Sequence, residues 1–300
     1  MSSYRLRAYF YLIIISIIWG AAGPIIKFTL GGIDPLPFLS YRLAIASLFS
    51  LAFFFAKGVR LPKSKSSLLL LFLYGFLAVP LALGILFIGL SSATVLDLTL
   101  ISAIGPMVVT LGAGFLLHEH ITKKERLGIV VVLIGVFLNI FYPLLANGQS
   151  HFTGNLFLLA FLFADSSSAL LAKFAVRKKI NSITLTNSAF LIGAVFLIPI
   201  TSQKYGFANL VSTIINLPLR YHLGVWYMAL ISGSLAYYLY VKAQRSIEVS
   251  EAILFNYLQP VFSIPLALFW LGEKITPAFL LGALIIALGV IIAEYKKAYK

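Results

Sequence analysis

Residues 92–136 read SATVLDLTLISAIGPMVVTLGAGFLLHEHITKKERLGIVVVLIGV, and residues 246–290 read SIEVSEAILFNYLQPVFSIPLALFWLGEKITPAFLLGALIIALGV. Laid over one another without gaps, 154 positions apart, they agree at 14 of 45 positions. The matches include residue types that are uncommon in so apolar a chain: Pro106 with Pro260, Glu119 with Glu273, Thr122 with Thr276, Gly128 with Gly282 and Gly135 with Gly289. Each copy reads as an apolar helix broken by a proline, a polar corner, and a second apolar helix with glycines seven apart. The chain therefore contains a duplicated helical hairpin.

Working outward, the whole chain is 61% hydrophobic and 11% charged over 300 residues, with mean hydropathy +1.01. Soluble domains carry about 25% charged residues, so this composition excludes an ordinary soluble protein. Runs of 18 or more apolar residues match helices that cross a hydrocarbon core of about 30 Å, whereas barrel strands alternate over about ten residues. The expected fold is an all-α membrane protein. Ten spans are placed at roughly 8–30, 35–57, 67–89, 92–117, 123–142, 153–177, 183–201, 220–244, 249–272 and 276–295. The apolar run after the basic N-terminus is too long for a signal-peptide core and is taken as a retained first span.

The net charge of +14 lies between the apolar runs, so it speaks for topology and against a nucleic-acid partner. Of the Lys and Arg residues, 17 fall on one side of the spans, and only Lys204, Arg220 and Lys274 on the other. The positive-inside rule then predicts cytoplasmic termini in a multi-pass cell-membrane protein. Asn147-Gly148-Gln149-Ser150 divides the chain into residues 1–147 and 148–300, each with five spans. Five is odd, so the second half is inverted relative to the first. The match extends backwards at an offset of 146, where Lys27-Phe28 meets Lys173-Phe174 and Trp19 meets Asp165. The eight-residue difference predicts an insertion in the loop around Ser202 to Leu219.

At the corners, Thr122 with Glu125 reads as a capping box and Thr276-Pro277 as an N-cap followed by a first-turn proline. Glu119 and Glu273 read as corner residues that serve helix-terminus electrostatics. These residues resemble the drug/metabolite transporter superfamily, specifically its EamA-type ten-span members. That family's repeat carries Pro in the fourth span, Glu at the next corner and a glycine-spaced fifth span. Trp19-Gly20 resembles the family's first-span signature, whereas the second half has Asp165-Ser166 at that place. The resemblance covers nearly the whole chain. It implies alternating access around a midplane site formed by spans one, three, four, six, eight and nine, with export as the direction.

Asp165 is the deepest ionisable residue, a dozen residues into its span and roughly 18 Å deep at about 1.5 Å per residue. A carboxylate there costs a few kcal/mol and points to a water-filled cavity or an intramembrane partner. Ser166, Ser167 and Ser168 stand ready to hydrogen-bond it. Trp19, Asn256, Tyr237 and Tyr238 are candidate cavity walls, set against plain packing. Asp97 and its mate Glu251 are read either as site residues or as helix-start acids. Ser16, Trp19, Gly20, Gly23 and Lys27 share one helical face. Lys27 and Lys173 are gate candidates, with snorkelling as the alternative. Pro106 and Pro260 are the expected bending points of the moving helices.

The expected function is secondary transport of a small polar metabolite, most simply an amino acid or amine held by Asp165. Alternatives are an organic-anion, phosphorylated or nucleotide-sugar substrate read by Lys27, Arg42 and Lys173, and a non-transporting scaffold or sensor. The partners are the substrate and the lipid bilayer, proton coupling is left open, and the chain is a monomer or homodimer. No cofactor is expected. His118-Glu119-His120 has the wrong spacing for a metal site on one helical face, and without cysteine there are no thiolate ligands. No phosphate-binding glycine loop or nucleophile elbow is present, so an enzyme is not expected.

Overall fold

In the computed structural model, residues 3–57, 61–117, 122–145, 151–244 and 255–294 are described. They form ten helical rods and one short helix. The first two are α1, Ser3–Leu30, and α2, Pro35–Lys57. The third runs from α3, Lys65–Phe76, through a π-helical stretch, Leu77–Leu83, into α4, Gly84–Ser92. The fourth is α5, Val95–Ser102, and α6, Gly105–Leu117, and the fifth α7, Lys123–Leu145. The sixth and seventh are α8, Phe152–Arg177, and α9, Ser182–Tyr205. After the short α10, Phe207–Ile215, the eighth joins α11, Leu219–Trp226, a π-helical stretch, Tyr227–Leu235, and α12, Ala236–Gln244. The described part of the ninth is a 3-10 turn, Phe255–Leu258, followed by α13, Gln259–Phe269, and the tenth is α14, Pro277–Glu294.

Among the described residues, six helices are long and apolar enough to cross a membrane, and Phe255–Phe269 and Pro277–Ala293 are shorter apolar helices. Phe55, Phe115 and Phe269 rank among the most exposed side chains, which suits a surface facing lipid rather than water. Caps follow local sequence. Thr122 N donates to Glu125 Oε2 (2.7 Å) and Glu125 N to Thr122 Oγ1 (3.2 Å), forming the expected capping box. Phe279 N donates to Thr276 Oγ1. The stretch expected as a loop insertion instead contains α10. Its exposed Phe207, Val211 and Ile215 and buried Leu210 make it amphipathic, as suits a helix lying in the membrane interface.

The contacts establish the inversion. Gly23 of α1 packs on Val95 and Leu98 of α5, while Lys27 reaches Leu90 and Ala93, so α1 and the fourth rod run antiparallel. Gly105 and Gly112 of α6 pack on Leu162 and Leu170 of α8, so the fourth and sixth rods run parallel. The first and sixth rods, which open the two halves, thus point in opposite directions. Each packing also has its mate: α1 on α13 matches α6 on α8, and the pairs α2 with α9 and α7 with α14 join equivalent rods. This is the pattern that a twofold-related inverted repeat requires.

The glycines seven apart meet in the α7–α14 seam. A Cβ on Gly128 would lie 2.5 Å from Gly289 O, and one on Gly135 would lie 3.0 Å from Gly282 O. Small residues let the two backbones touch, which is the main attraction available between helices in lipid.

Candidate functional site

The helices are irregular in the middle of the bundle. The fourth rod breaks between Ser102 and Gly105, and the ninth carries a 3-10 turn just before Gln259. Pro106 and Pro260 each sit in the first turn after the break, where the missing N–H costs no helical bond. The breaks are also repeat mates. Gly105 faces Leu162, one turn from Asp165, while Gly20, beside Trp19, packs on Gln259. Both third rods of the halves carry a π-helical stretch, a feature frequent at functional sites.

On α8, Leu158 and Leu162 are buried, while Leu156 and Phe163 are exposed, which fixes the inner and outer faces. Asp165 stands on the inner face and is surrounded by protein, yet it is accessible. It therefore borders open space inside the bundle. The Tyr74 and Tyr237 side chains are its electrostatic neighbours, and Tyr74 is hydrogen-bonded to Thr186. Trp19 Nε1 donates to Ser232 O in the second π-helical stretch (3.1 Å). The Trp19 ring meets Tyr237 at 5.4 Å and Tyr240 at 5.5 Å, and Phe190 lies 6.2 Å from Tyr237. Asp165, Trp19, Tyr74 and Tyr237 thus converge from α8, α1, α3 and α12. A carboxylate with two tyrosines as electrostatic neighbours and Trp19 packed on one of them suits a cationic nitrogen, through charge and cation–π attraction.

A second cluster lies at the end where α1, α4 and α13 finish and α2, α5, α8 and α14 begin. The Glu273 carboxylate accepts hydrogen bonds from Val95 N (2.7 Å) and Leu96 N (3.0 Å). Glu273 belongs to the second half and α5 to the first, so this cap spans the repeat. Lys27 Nζ donates to Leu90 O (2.9 Å) and Ala93 O (2.6 Å), with Glu273 and Asp97 as charge neighbours. Burial pushes the Glu273 carboxyl upward, opposed by the two amides and Lys27. Asp97 lies in the first turn of α5, and its Oδ1 accepts from Asn139 Nδ2 (2.9 Å). Nearby, the hydroxyls of Thr99 and Ser263 meet across the halves at 3.0 Å. At the opposite end, α6 packs chiefly along α8 and the 3-10 turn along α1. Among the described residues the fourth and ninth rods therefore meet each other at the Glu273 end and part at the other, where each packs on a different helix.

The remaining candidates lie elsewhere. Tyr238 is 53% exposed and, with Tyr11, flanks Lys242 on the outer surface, away from Asp165. Asn256 accepts from Gln259 Nε2 within the ninth rod's break (3.2 Å). Lys173 is one turn before the end of α8, at the far end from Lys27. Lys27 does not snorkel outward but holds carbonyl ends. Two of the three serines do not serve the Asp165 carboxylate as expected: Ser168 Oγ donates to the backbone oxygen of Asp165 (2.8 Å), and Ser166 Oγ is buried without a partner among the described residues. Glu119, Glu251, His118, His120 and residues 147–150 lie outside the described residues.

Tyr74, Thr186 and Phe190 escaped the sequence reading, because single residues in uniformly apolar helices carry no pattern. Pro80 inside the first π-helical stretch is a legible signal of irregularity, but the second stretch contains no proline.

Comparison with known proteins agrees with this geometry. The model of the EamA-like transporter family matches residues 6–141 and 152–295. The chain is 25% identical over 297 residues to the "Uncharacterized transporter YyaM" of Bacillus subtilis, covering 97% of this chain and 94% of that protein. It is 27% identical over 290 residues to an "Uncharacterized transporter" of Archaeoglobus fulgidus, covering 93% and 95% respectively. A solved crystal structure shares the fold, with a TM-score of 0.61 and 16% identity over 98% of this chain and 97% of that one. Two matched segments, an inverted packing and a broken-helix centre lead to one conclusion: this multi-pass membrane protein belongs to the EamA-like transporter family.

Proposed function

We propose that the chain exports a small polar metabolite carrying a cationic nitrogen, an amino acid or an amine, by alternating access around Asp165. The observation that carries this reading is an accessible carboxylate on the inner face of α8, mid-bundle and walled by Trp19, Tyr74 and Tyr237. An ionisable residue at that depth is costly unless it serves a ligand, a proton or a partner. The basic end, with Arg7, Lys65, Arg177 and Lys242, faces the cytoplasm in this reading. The Glu273 cluster is then the closed outer gate, and the end where the fourth and ninth rods part admits substrate from inside. Protonation of Asp165 when the substrate leaves supplies proton coupling.

Transport in reconstituted vesicles tests this reading. Asp165→Asn keeps the shape and removes the charge. It is expected to insert and melt at or above the wild-type temperature and to lose transport or its pH dependence. Full transport with unaltered pH dependence sinks the proposal.

A further inference from the structure

Arg42 lies in α2 beside the fully buried Phe38, Leu39 and Leu43. It is 4% exposed, and its Nε and Nη1 are buried without a hydrogen-bond partner. The Phe87 ring centre is 5.8 Å from its guanidinium carbon, and Tyr237 is its electrostatic neighbour. Among the described residues, no carboxylate figures among its charge neighbours, and Arg42 is not one for Asp165. A guanidinium stays charged in proteins, and a buried charge normally has a partner. Among the described residues that partner is missing.

We propose that Arg42 is the anion-binding pole of the transport site, so that the substrate is a zwitterion with its carboxylate at Arg42 and its ammonium group at Asp165. The proposal rests on the cation-binding reading of Asp165 given above. The planar fork of arginine matches a carboxylate with two parallel hydrogen bonds. Both α2 and α8 begin at the Glu273 end, with Arg42 seven residues into α2 and Asp165 thirteen into α8. The six-residue difference is roughly 9 Å along the bundle, with Asp165 farther from the Glu273 end. Ion pairs reach up to about 4 Å each, which leaves space for a molecule whose own charges stand a few ångströms apart. Tyr237 is the electrostatic neighbour of both poles. An amine leaves the Arg42 fork unmet, and a simple carboxylic acid leaves Asp165 unmet.

The test is a thermal-shift comparison on the purified full chain with three probes at equal total concentration. These are a mixture of the twenty standard amino acids, the amines formed by their decarboxylation, and the corresponding 2-oxo acids. Wild-type protein is expected to need about tenfold less amino acid than amine for the same shift, the size of one good charge-assisted contact. Arg42→Gln should abolish that preference. Arg42→Lys, which keeps the charge without the fork, should retain part of it and provides the readout if the glutamine variant does not fold. Amines as effective as amino acids on wild type, a preference surviving in both variants, or no shift with amino acids each overturn the proposal. If the amine shift vanishes in Asp165→Asn, the cation-binding reading survives without the Arg42 pole. Shifts by 2-oxo acids alone, indifferent to Asp165→Asn, sink both.

Discussion

Glu273 shows how one side chain couples the halves. A carboxylate at a helix N-terminus satisfies backbone donors and complements the helix dipole, and here the helix belongs to the other repeat. Glu273→Ala leaves Val95 N and Leu96 N without that acceptor. Losing such a cap costs about 1–2 kcal/mol, and it falls on the joined end alone. We expect a cysteine placed at Ala93, fully buried beside the cluster, to react faster with an impermeant thiol reagent when Glu273→Ala is present. An unchanged rate would mean that the cap is not part of a gate. Arg42 and Asp165 follow a different logic: neither has a counter-charge among the described residues, so both are candidates for contact with something that comes and goes.

Among the elements, α7 and α14 form the tightest seam, and their glycines explain it. A side chain at Gly128 would meet Gly289 O, the Ala293 backbone and its Cβ, none of which can rotate away. Gly128→Val is therefore expected to lower the melting temperature, with an overpacking cost of about 1–3 kcal/mol. Leu127→Val, one residue away and 55% exposed on the outer face, serves as the control, with a change within about 0.5 kcal/mol. Equal melting temperatures for the two would show that the seam yields. The fourth and ninth rods are the opposite kind of element, broken beside Pro106 and Pro260 and packed on each other at one end only. Their irregularity gives them two segments that can move separately.

For the whole molecule, the inverted arrangement predicts where polar corners emerge. Lys124 lies at the start of α7 and Lys274 in the corner before α14, equivalent corners of opposed halves. In intact cells, Lys274→Cys is expected to label with an impermeant thiol reagent and Lys124→Cys to be shielded. Labelling of both from one side would contradict the inversion, and a reversed pattern would overturn the cytoplasmic placement of the basic end. Because the chain contains no cysteine, each variant reports a single position.

The sequence by itself determined the apolar helical class, the duplication, the inversion and the capped corners. These follow from composition, an odd number of spans per repeat, and side chains that bond within three or four residues of their own position. It also marked the breaks, since a proline limits its own backbone wherever it stands. Only the tertiary structure decided which faces meet. In lipid the outside of a helix is as apolar as its inside, so hydropathy could not tell that Tyr238 points outward while Tyr237 points inward. Nor could spacing reveal that Glu273 reaches Val95, that Gly128 seeks Gly289, or that Arg42 is buried without a counter-charge among the described residues. Those pairings join residues far apart in the chain and exist only once the two halves have packed.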